Sequence, residues 1–295
     1  MKKTFLKYIA ALLLFGSNGI VASHISLTSY QIVFMRTGIG SVLLVLLFVL
    51  SQRKTAILKN KMDVMYIALS GVAMGFSWIF LYEAYSQVGV GVSSLLYYCG
   101  PVIVMILSPL LFKERLTAQK IIGFIIVLTG IFFVNGNMAK ESVNVNGLIC
   151  GGIAAVMYSL MVIFNKYAEK IAGIEKSMLQ LLASFLTVAL FTCAKGGLTM
   201  CISTCDWIWV LILGLINTGM GCYLYFSSIG ALPVQTVAIC GYLEPLSAVV
   251  LSVLILNEVL LPVQIAGAVL IVCGALIGEN VCCKMKKLRL KKHNV

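Results

Sequence analysis

Histidine occurs only twice in this 295-residue chain, at His24 and His293, and acidic residues only ten times. A histidine-based catalytic or metal centre would have to be built from one loop residue and one tail residue. The chain also lacks Gly-x-Ser-x-Gly, His-Glu-x-x-His and Gly-x4-Gly-Lys-Ser/Thr. That leaves no hydrolase elbow, no zincin helix and no phosphate loop, and argues against ATP-driven work by this chain alone. The ten cysteines show no metal-ligand spacing, and most stand singly in apolar stretches (Cys99, Cys150, Cys193, Cys222, Cys240, Cys273), where cysteine behaves as a small hydrophobe. Cys201 and Cys205 share one loop as two thiols or as a disulfide, and Cys282 and Cys283 stand at a predicted membrane edge. No cofactor and no metal are implied.

Charge is the second scarcity. Only 11% of residues are charged against 61% hydrophobic, with a mean hydropathy of +1.04. Soluble globular domains carry about 25% charged residues, so this chain belongs in a bilayer. A helix needs about 20 apolar residues to cross, and the sequence divides into ten such spans, roughly 5–23, 30–50, 63–83, 89–111, 119–136, 146–165, 176–195, 207–228, 233–256 and 262–281. The expected fold is an all-α membrane protein of ten transmembrane helices.

The net charge of +12 would suit nucleic acid in a soluble protein, but its placement follows the membrane. Lys2, Lys3 and Lys7, then Arg53, Lys54, Lys59 and Lys61, then Lys113, Arg115 and Lys120, then Lys166, Lys170 and Lys176, then the six in the Lys284 to Lys292 tail fall on one side if ten spans alternate. Only Lys140 and Lys195 fall in loops on the other side. The positive-inside rule then places both termini in the cytoplasm of a cell with this chain in its plasma membrane, and basic clusters beside anionic lipid are ordinary. The first span imitates a signal peptide, with Lys2-Lys3, an apolar run and small residues near Ala22-Ser23. Cleavage there would leave nine spans, and Ser17 and Asn18 interrupt the run as a cavity-lining helix would tolerate, so the span is expected to remain.

The chain contains itself twice. Phe80 to Val134 recurs without a gap 144 residues later as Leu224 to Gly278. Gly100-Pro101 matches Glu244-Pro245, Lys113-Glu114-Arg115-Leu116 matches Asn257-Glu258-Val259-Leu260, and Gly123 and Gly130 match Gly267 and Gly274. Two apolar halves that repeat this way suggest a transporter with its site between them. Five spans per half, an odd number, insert the halves upside down relative to each other.

These residues carry a resemblance. The stretches SSLLYYCGPVIVMILSPLLFKERLTAQKIIGFIIVLTGIFF and VAICGYLEPLSAVVLSVLILNEVLLPVQIAGAVLIVCGALI each hold small residues, a proline, a glutamate thirteen residues later and a Gly-x6-Gly span. In this the chain resembles a ten-helix member of the drug/metabolite transporter superfamily, of the kind built from two EamA-type repeats. The resemblance covers 5–135 as a first repeat and 147–278 as a second, before a basic cytoplasmic tail at 282–295. It implies secondary, carrier-type movement of small metabolites, often export, without a cofactor, and a cavity surrounded by helices one, three, four, six, eight and nine.

Within that frame Glu244 is the foremost candidate. It falls in the middle of the ninth span directly before Pro245, where an ionised side chain costs roughly 2.5–3.5 kcal/mol. Val237, Gly241, Glu244 and Ala248 share one helical stripe, and Pro245 frees the carbonyl of Gly241. Glu244 serves either as a partner for a substrate amine or a proton, or as a protonated or ion-paired structural residue. In the first half the same positions are Ser93, Tyr97, Gly100 and Val104, so Tyr97 would face the carboxylate across a pseudo-two-fold axis, or else pack on a neighbouring helix. Arg36 in the second span pairs with Glu244 as a structural or gating pair, contacts substrate directly, or snorkels outward. Trp78, Tyr82, Asn18, Tyr158, Asn217 and Tyr223 are further substrate-binding candidates, each with helix packing as the alternative, and Pro101 and Pro245 are candidate hinges. Glu114 and Glu258 suit turn fixing or capping, Trp207 and Trp209 an interfacial belt, His24 a solvated loop, and Glu83 and Glu279 the interfaces. Gly71/Gly75, Gly147/Gly151 and Gly274/Gly278 permit close helix approach.

The expectation is a multi-pass plasma-membrane secondary transporter, an exporter of small organic metabolites such as amino acids, alternating around a midplane cavity. Its partners are a small-molecule substrate and the lipid bilayer, with no nucleic acid. Proton coupling is compatible with it, as are a monomer and a homodimer. A non-transporting sensor or scaffold and an intramembrane enzyme are the alternatives.

Overall fold

The computed structural model describes residues 2–52, 55, 60–135, 144–196, 202–256 and 262–278. Arg53, Lys54, Lys59, Lys140, Cys201, Glu258, Glu279, Cys282, Cys283 and the tail at 282–295 lie outside the described residues. Among the described residues every regular element is helical. Apolar runs of this length can leave no backbone donor unpaired in hydrocarbon, and a helix satisfies each within the segment.

The elements are α1 (Lys2–Gly16), α2 (Asn18–Ala22), α3 (Ser29–Leu50), α4 (Lys61–Tyr97), α5 (Cys99–Phe112), α6 (Ala118–Asn135), α7 (Val145–Tyr167), α8 (Gly173–Ala194), α9 (Asp206–Leu211), a π-helical segment (Ile212–Met220), α10 (Gly221–Ile229), α11 (Val234–Gly241), α12 (Leu243–Leu256) and α13 (Pro262–Gly278). Among the described residues six runs are long and apolar enough to cross a membrane: Lys3–Ala22, Ser29–Leu50, Lys61–Val88, Val145–Tyr167, Gly173–Ala194 and Asp206–Ile229. Shorter apolar helices accompany them.

One expected boundary is not a break. The sequence suggested a turn between residues 83 and 89, but α4 continues as helix through it to Tyr97. Its counterpart in the second half stops at Ile229 and restarts at Val234. The difference is Pro233, which has no N–H to continue a helix and stands where the first half has Gly89. Conversely, three expected single spans are interrupted. The first breaks at Ser17, whose Oγ donates to Leu14 O at 2.7 Å. The fourth and ninth break at Tyr98 and Tyr242, three residues before Pro101 and Pro245.

Polarity is distributed inside out. Leu110 is 78% exposed and Leu190 73%, while Ser70 and Ser108 are fully buried. Buried hydroxyls tie helices together: Ser70 and Ser77 of α4 donate to the carbonyls of Met161 and Ala154 on α7, and Ser159 of α7 donates to Gly100 O of α5 at 3.0 Å. Glycines set the closest approach. A Cβ on Gly123 of α6 would lie 2.6 Å from Gly274 O of α13, and one on Gly130 would lie 2.6 Å from Gly267 O. As numbering rises along α6 it falls along α13, so these two helices cross antiparallel.

Candidate functional site

Glu244 lies in the first turn of α12, just past the Tyr242 break. Its carbonyl accepts Ser247 Oγ at 2.7 Å, and that hydroxyl also reaches Leu12 O at 3.3 Å. Gly16 of α1 packs directly on the same turn, where a Cβ would come within 2.9 Å of Glu244 O and 2.8 Å of Ala248 N. The side chain is half-buried, and among the described residues none donates a hydrogen bond to its carboxylate. Arg36, Tyr85, Tyr97, Tyr98 and Tyr158 are within electrostatic reach.

One turn earlier, the space above Gly241 is lined by phenols. A Cβ there would lie 3.6 Å from Tyr8 Oη and 3.7 Å from Tyr158 Oη. Tyr8 donates to Val237 O at 2.7 Å, Tyr158 and Tyr225 share a hydroxyl contact at 3.3 Å, and the rings of Tyr97 and Tyr158 meet edge-on at 5.3 Å. Tyr158 thus stands between Tyr97 and Gly241, the two positions that the repeat equates. It also explains why the first half has no carboxylate opposite Glu244: a Cβ on Gly100 would lie 2.7 Å from Tyr158 Cδ1 and 3.0 Å from Ala155 O.

Arg36 is 2% exposed. Its Nε donates to Thr218 Oγ1 at 2.9 Å and its Nη1 to Tyr82 Oη at 3.1 Å, and the guanidinium lies 4.4 Å from the Trp78 ring centroid, a cation–π geometry. Nη2 has no hydrogen-bond partner among the described residues. A buried donor without a partner costs stability and marks a place where a ligand or water would be held.

Thr218 and Asn217 come from the π-helical segment, a geometry enriched at functional sites. Thr218 Oγ1 donates to Leu213 O, five residues back, at 2.8 Å. Asn217 Nδ2 reaches the α1 break, contacting Ser17 Oγ at 2.7 Å, Leu14 O at 3.1 Å and Asn18 Oδ1 at 3.1 Å. A continuous path therefore runs from Glu244 through Gly16 and Ser17 to Asn217 and Thr218, then to Arg36, Trp78 and Tyr82.

Of the residues expected from sequence, Glu244, Tyr97 and Tyr158 share one end of this path, Asn18 and Asn217 the middle, and Arg36, Trp78 and Tyr82 the other. Tyr223 stands apart, its ring 5.5 Å from Lys7 Nζ. His24 stacks on Trp209 at 4.2 Å with Nδ1 2.8 Å from Ile20 O. Glu83 accepts from Gln87 one turn on. Sequence reasoning passed over Tyr8, Tyr98, Tyr225, Tyr242, Ser247 and Thr218. For one pair a signal existed, because Tyr98 and Tyr242 are related by the 144-residue offset. Their rings meet at 6.2 Å and Tyr242 Oη donates to Tyr98 O at 2.8 Å, joining the two helix breaks.

The chain as a whole is similar to known proteins. A family model described as the EamA-like transporter family matches residues 3–136 and 145–277. The chain is 25% identical over 250 residues to the uncharacterized transporter YxxF of Bacillus subtilis, covering 84% of this chain and 80% of that protein. It is also 25% identical over 189 residues to the riboflavin transporter ImpX of Fusobacterium nucleatum, covering 61% of this chain and 63% of that protein. A solved crystal structure superposes with a TM-score of 0.79 at 17% identity, over 94% of this chain and 98% of the other, which establishes a shared fold.

Proposed function

Because this chain belongs to the EamA-like transporter family, we propose that it is a secondary carrier that exports small organic metabolites, amino acids among them, across the plasma membrane by alternating access. In this reading ten crossings form two inverted five-helix repeats, 5–135 and 147–278, with both termini cytoplasmic. The antiparallel crossing of α6 and α13 supports the inversion. These helices are equivalents in the duplicated sequence, and a repeat related by an axis along the membrane normal would keep equivalents parallel.

The observation that carries the proposal is a pair of opposite charges, each with an open valence. The Glu244 carboxylate takes no donor and Arg36 Nη2 no acceptor among the described residues. A solute bearing an ammonium and a carboxylate would complete both, and the phenols of Tyr97 and Tyr158 with the Trp78 indole would supply aromatic contact. An enzyme would need a nucleophile and base in register, and a scaffold would have no use for two incompletely paired charges.

The test is flux into proteoliposomes, guided by a thermal-shift screen of amino acids, polyamines, nucleosides, sugars and riboflavin. Glu244→Gln is expected to abolish or uncouple transport while membrane abundance stays at the wild-type level. Normal transport by that variant across pH would remove Glu244 from the mechanism.

A further inference from the structure

The turn between α10 and α11 is gripped from two sides. Lys166 of α7 donates through Nζ to Gly230 O at 3.0 Å and to Leu232 O at 2.7 Å. From the other side comes Glu114, in the turn between α5 and α6. Its Oε1 accepts from Val234 N at 2.8 Å and its Oε2 from Gln235 N at 3.2 Å. Those are the first two N–H groups of α11, orphaned by the helix start, and an ionised acceptor at a helix N-terminus is favoured by the dipole.

The surrounding side chains reinforce the grip. Lys120 of α6 reaches Gln235 Oε1 at 2.5 Å, and Gln235 Nε2 donates to Ser108 Oγ of α5 at 2.9 Å. Gln235 is fully buried, whereas Glu114 is half-buried. The turn that presents the carboxylate is itself specific: Lys113 adopts the left-handed conformation at φ 54°, ending α5 and directing Glu114 back toward α11.

This contact joins the two halves of the duplicated chain. The first-half counterparts of Val234 and Gln235 are Val90 and Gly91, which lie inside continuous α4, where backbone donors are already spent within the helix. Only one copy of the element is therefore broken and held by a carboxylate from the opposite half. Val234 to Gly241 leads directly to the break before Glu244, so whatever holds the start of α11 also fixes one wall of the candidate site.

We propose that Glu114 is the latch of a gate on the face that bears the Lys113 to Arg115 turn. Its carboxylate holds the start of α11 against α5 and α6, and its release lets that end of α11 swing away and open the site to that face. This rests on the carrier reading. Glu114 is in these terms a positioning residue, acting on solute access through α11. A latch built from water-reachable hydrogen bonds can open and reclose, which an apolar seal of equal area would do less readily.

Cys240 on α11, 2% exposed, is the natural reporter. Membrane vesicles of either orientation are treated with a charged, membrane-impermeant maleimide, and modification of Cys240 is quantified by peptide mass spectrometry. Glu114→Ala is expected to raise the rate at Cys240 by about tenfold or more from the face bearing the Lys113 to Arg115 turn, and from that face only. An unchanged rate would overturn the proposal, as would an equal rise from both faces, which is general loosening. Glu114→Gln and Lys120→Met carry the same readout with smaller rises should Glu114→Ala fail to insert. The labelling needs no solute, so a one-sided rise in a chain that moves nothing would sink the carrier reading and leave the latch standing.

Discussion

Tyr242 sits in the gap between α11 and α12, and its hydroxyl crosses to the carbonyl of Tyr98 in the matching gap of the first half. Tyr242 is fully buried, and a buried polar group left without a partner costs free energy. Tyr242→Phe keeps the ring and removes the donor, so it is expected to destabilise the protein by about 0.5–1.5 kcal/mol. A lowered thermal midpoint in detergent would show this, and an unchanged midpoint would mean the bond contributes nothing. At this scale the sequence was unevenly legible. Glu244 and Arg36 stood out because a charge in an apolar span is costly. Tyr8, Tyr98, Tyr225 and Tyr242 did not, because a phenol in a span of this composition looks the same whether it lines a site or fills a core. Only three-dimensional convergence on Gly241 and the two breaks separates them. Thr218 was hidden for another reason: its partner Arg36 lies 182 residues away in the chain, and the hydroxyl of one threonine carries no signal of its own.

The pairing of α6 with α13 depends on glycine at both ends of the crossing. A side chain at Gly274 would be driven into Gly123 O at 2.6 Å and Val127 N at 2.8 Å, backbone that cannot move aside. Gly274→Leu is therefore expected to cost about 1–3 kcal/mol or more from overpacking, measured as loss of thermal stability and membrane abundance. Gly152→Leu is the matched control, since nothing lies within 4 Å of its Cβ position. Equal tolerance of both would show that the crossing is not close-packed. The Gly-x6-Gly spacing was visible in the sequence, as were the helices, because glycine spacing and long apolar runs are local signals. Helix ends were less so. The missing break within α4 and the extra ones at Ser17, Tyr98 and Tyr242 depend on whether a proline stands in register and on which partner takes the released carbonyl. The π-helical segment had no sequence signature, since it is held by Leu213, Thr218 and the close approach of Gly40 to Gly214 and Gly219.

For the whole molecule the duplication is the strongest constraint, and the latch tests how far the two halves have diverged. Glu258 stands to the second half as Glu114 stands to the first, and Val90 and Gly91 correspond to Val234 and Gln235. Glu258 lies outside the described residues, but Val90 and Gly91 lie inside continuous α4, so the first half offers no helix start for a carboxylate to hold. Leu96 is the counterpart of Cys240, and Leu96→Cys supplies the matching reporter. In that background Glu258→Ala is expected to leave labelling of the introduced thiol unchanged from either face, whereas Glu114→Ala exposes Cys240. A one-sided rise on Glu258→Ala would contradict a latch confined to one half of the duplication. The same asymmetry bears on flux. A carrier with one site between two gates keeps one closed while the other opens, so Glu114→Ala, which frees one gate and leaves the other intact, is expected to slow flux into proteoliposomes without producing a leak, and a leak would mean that the opposite side has no gate of its own.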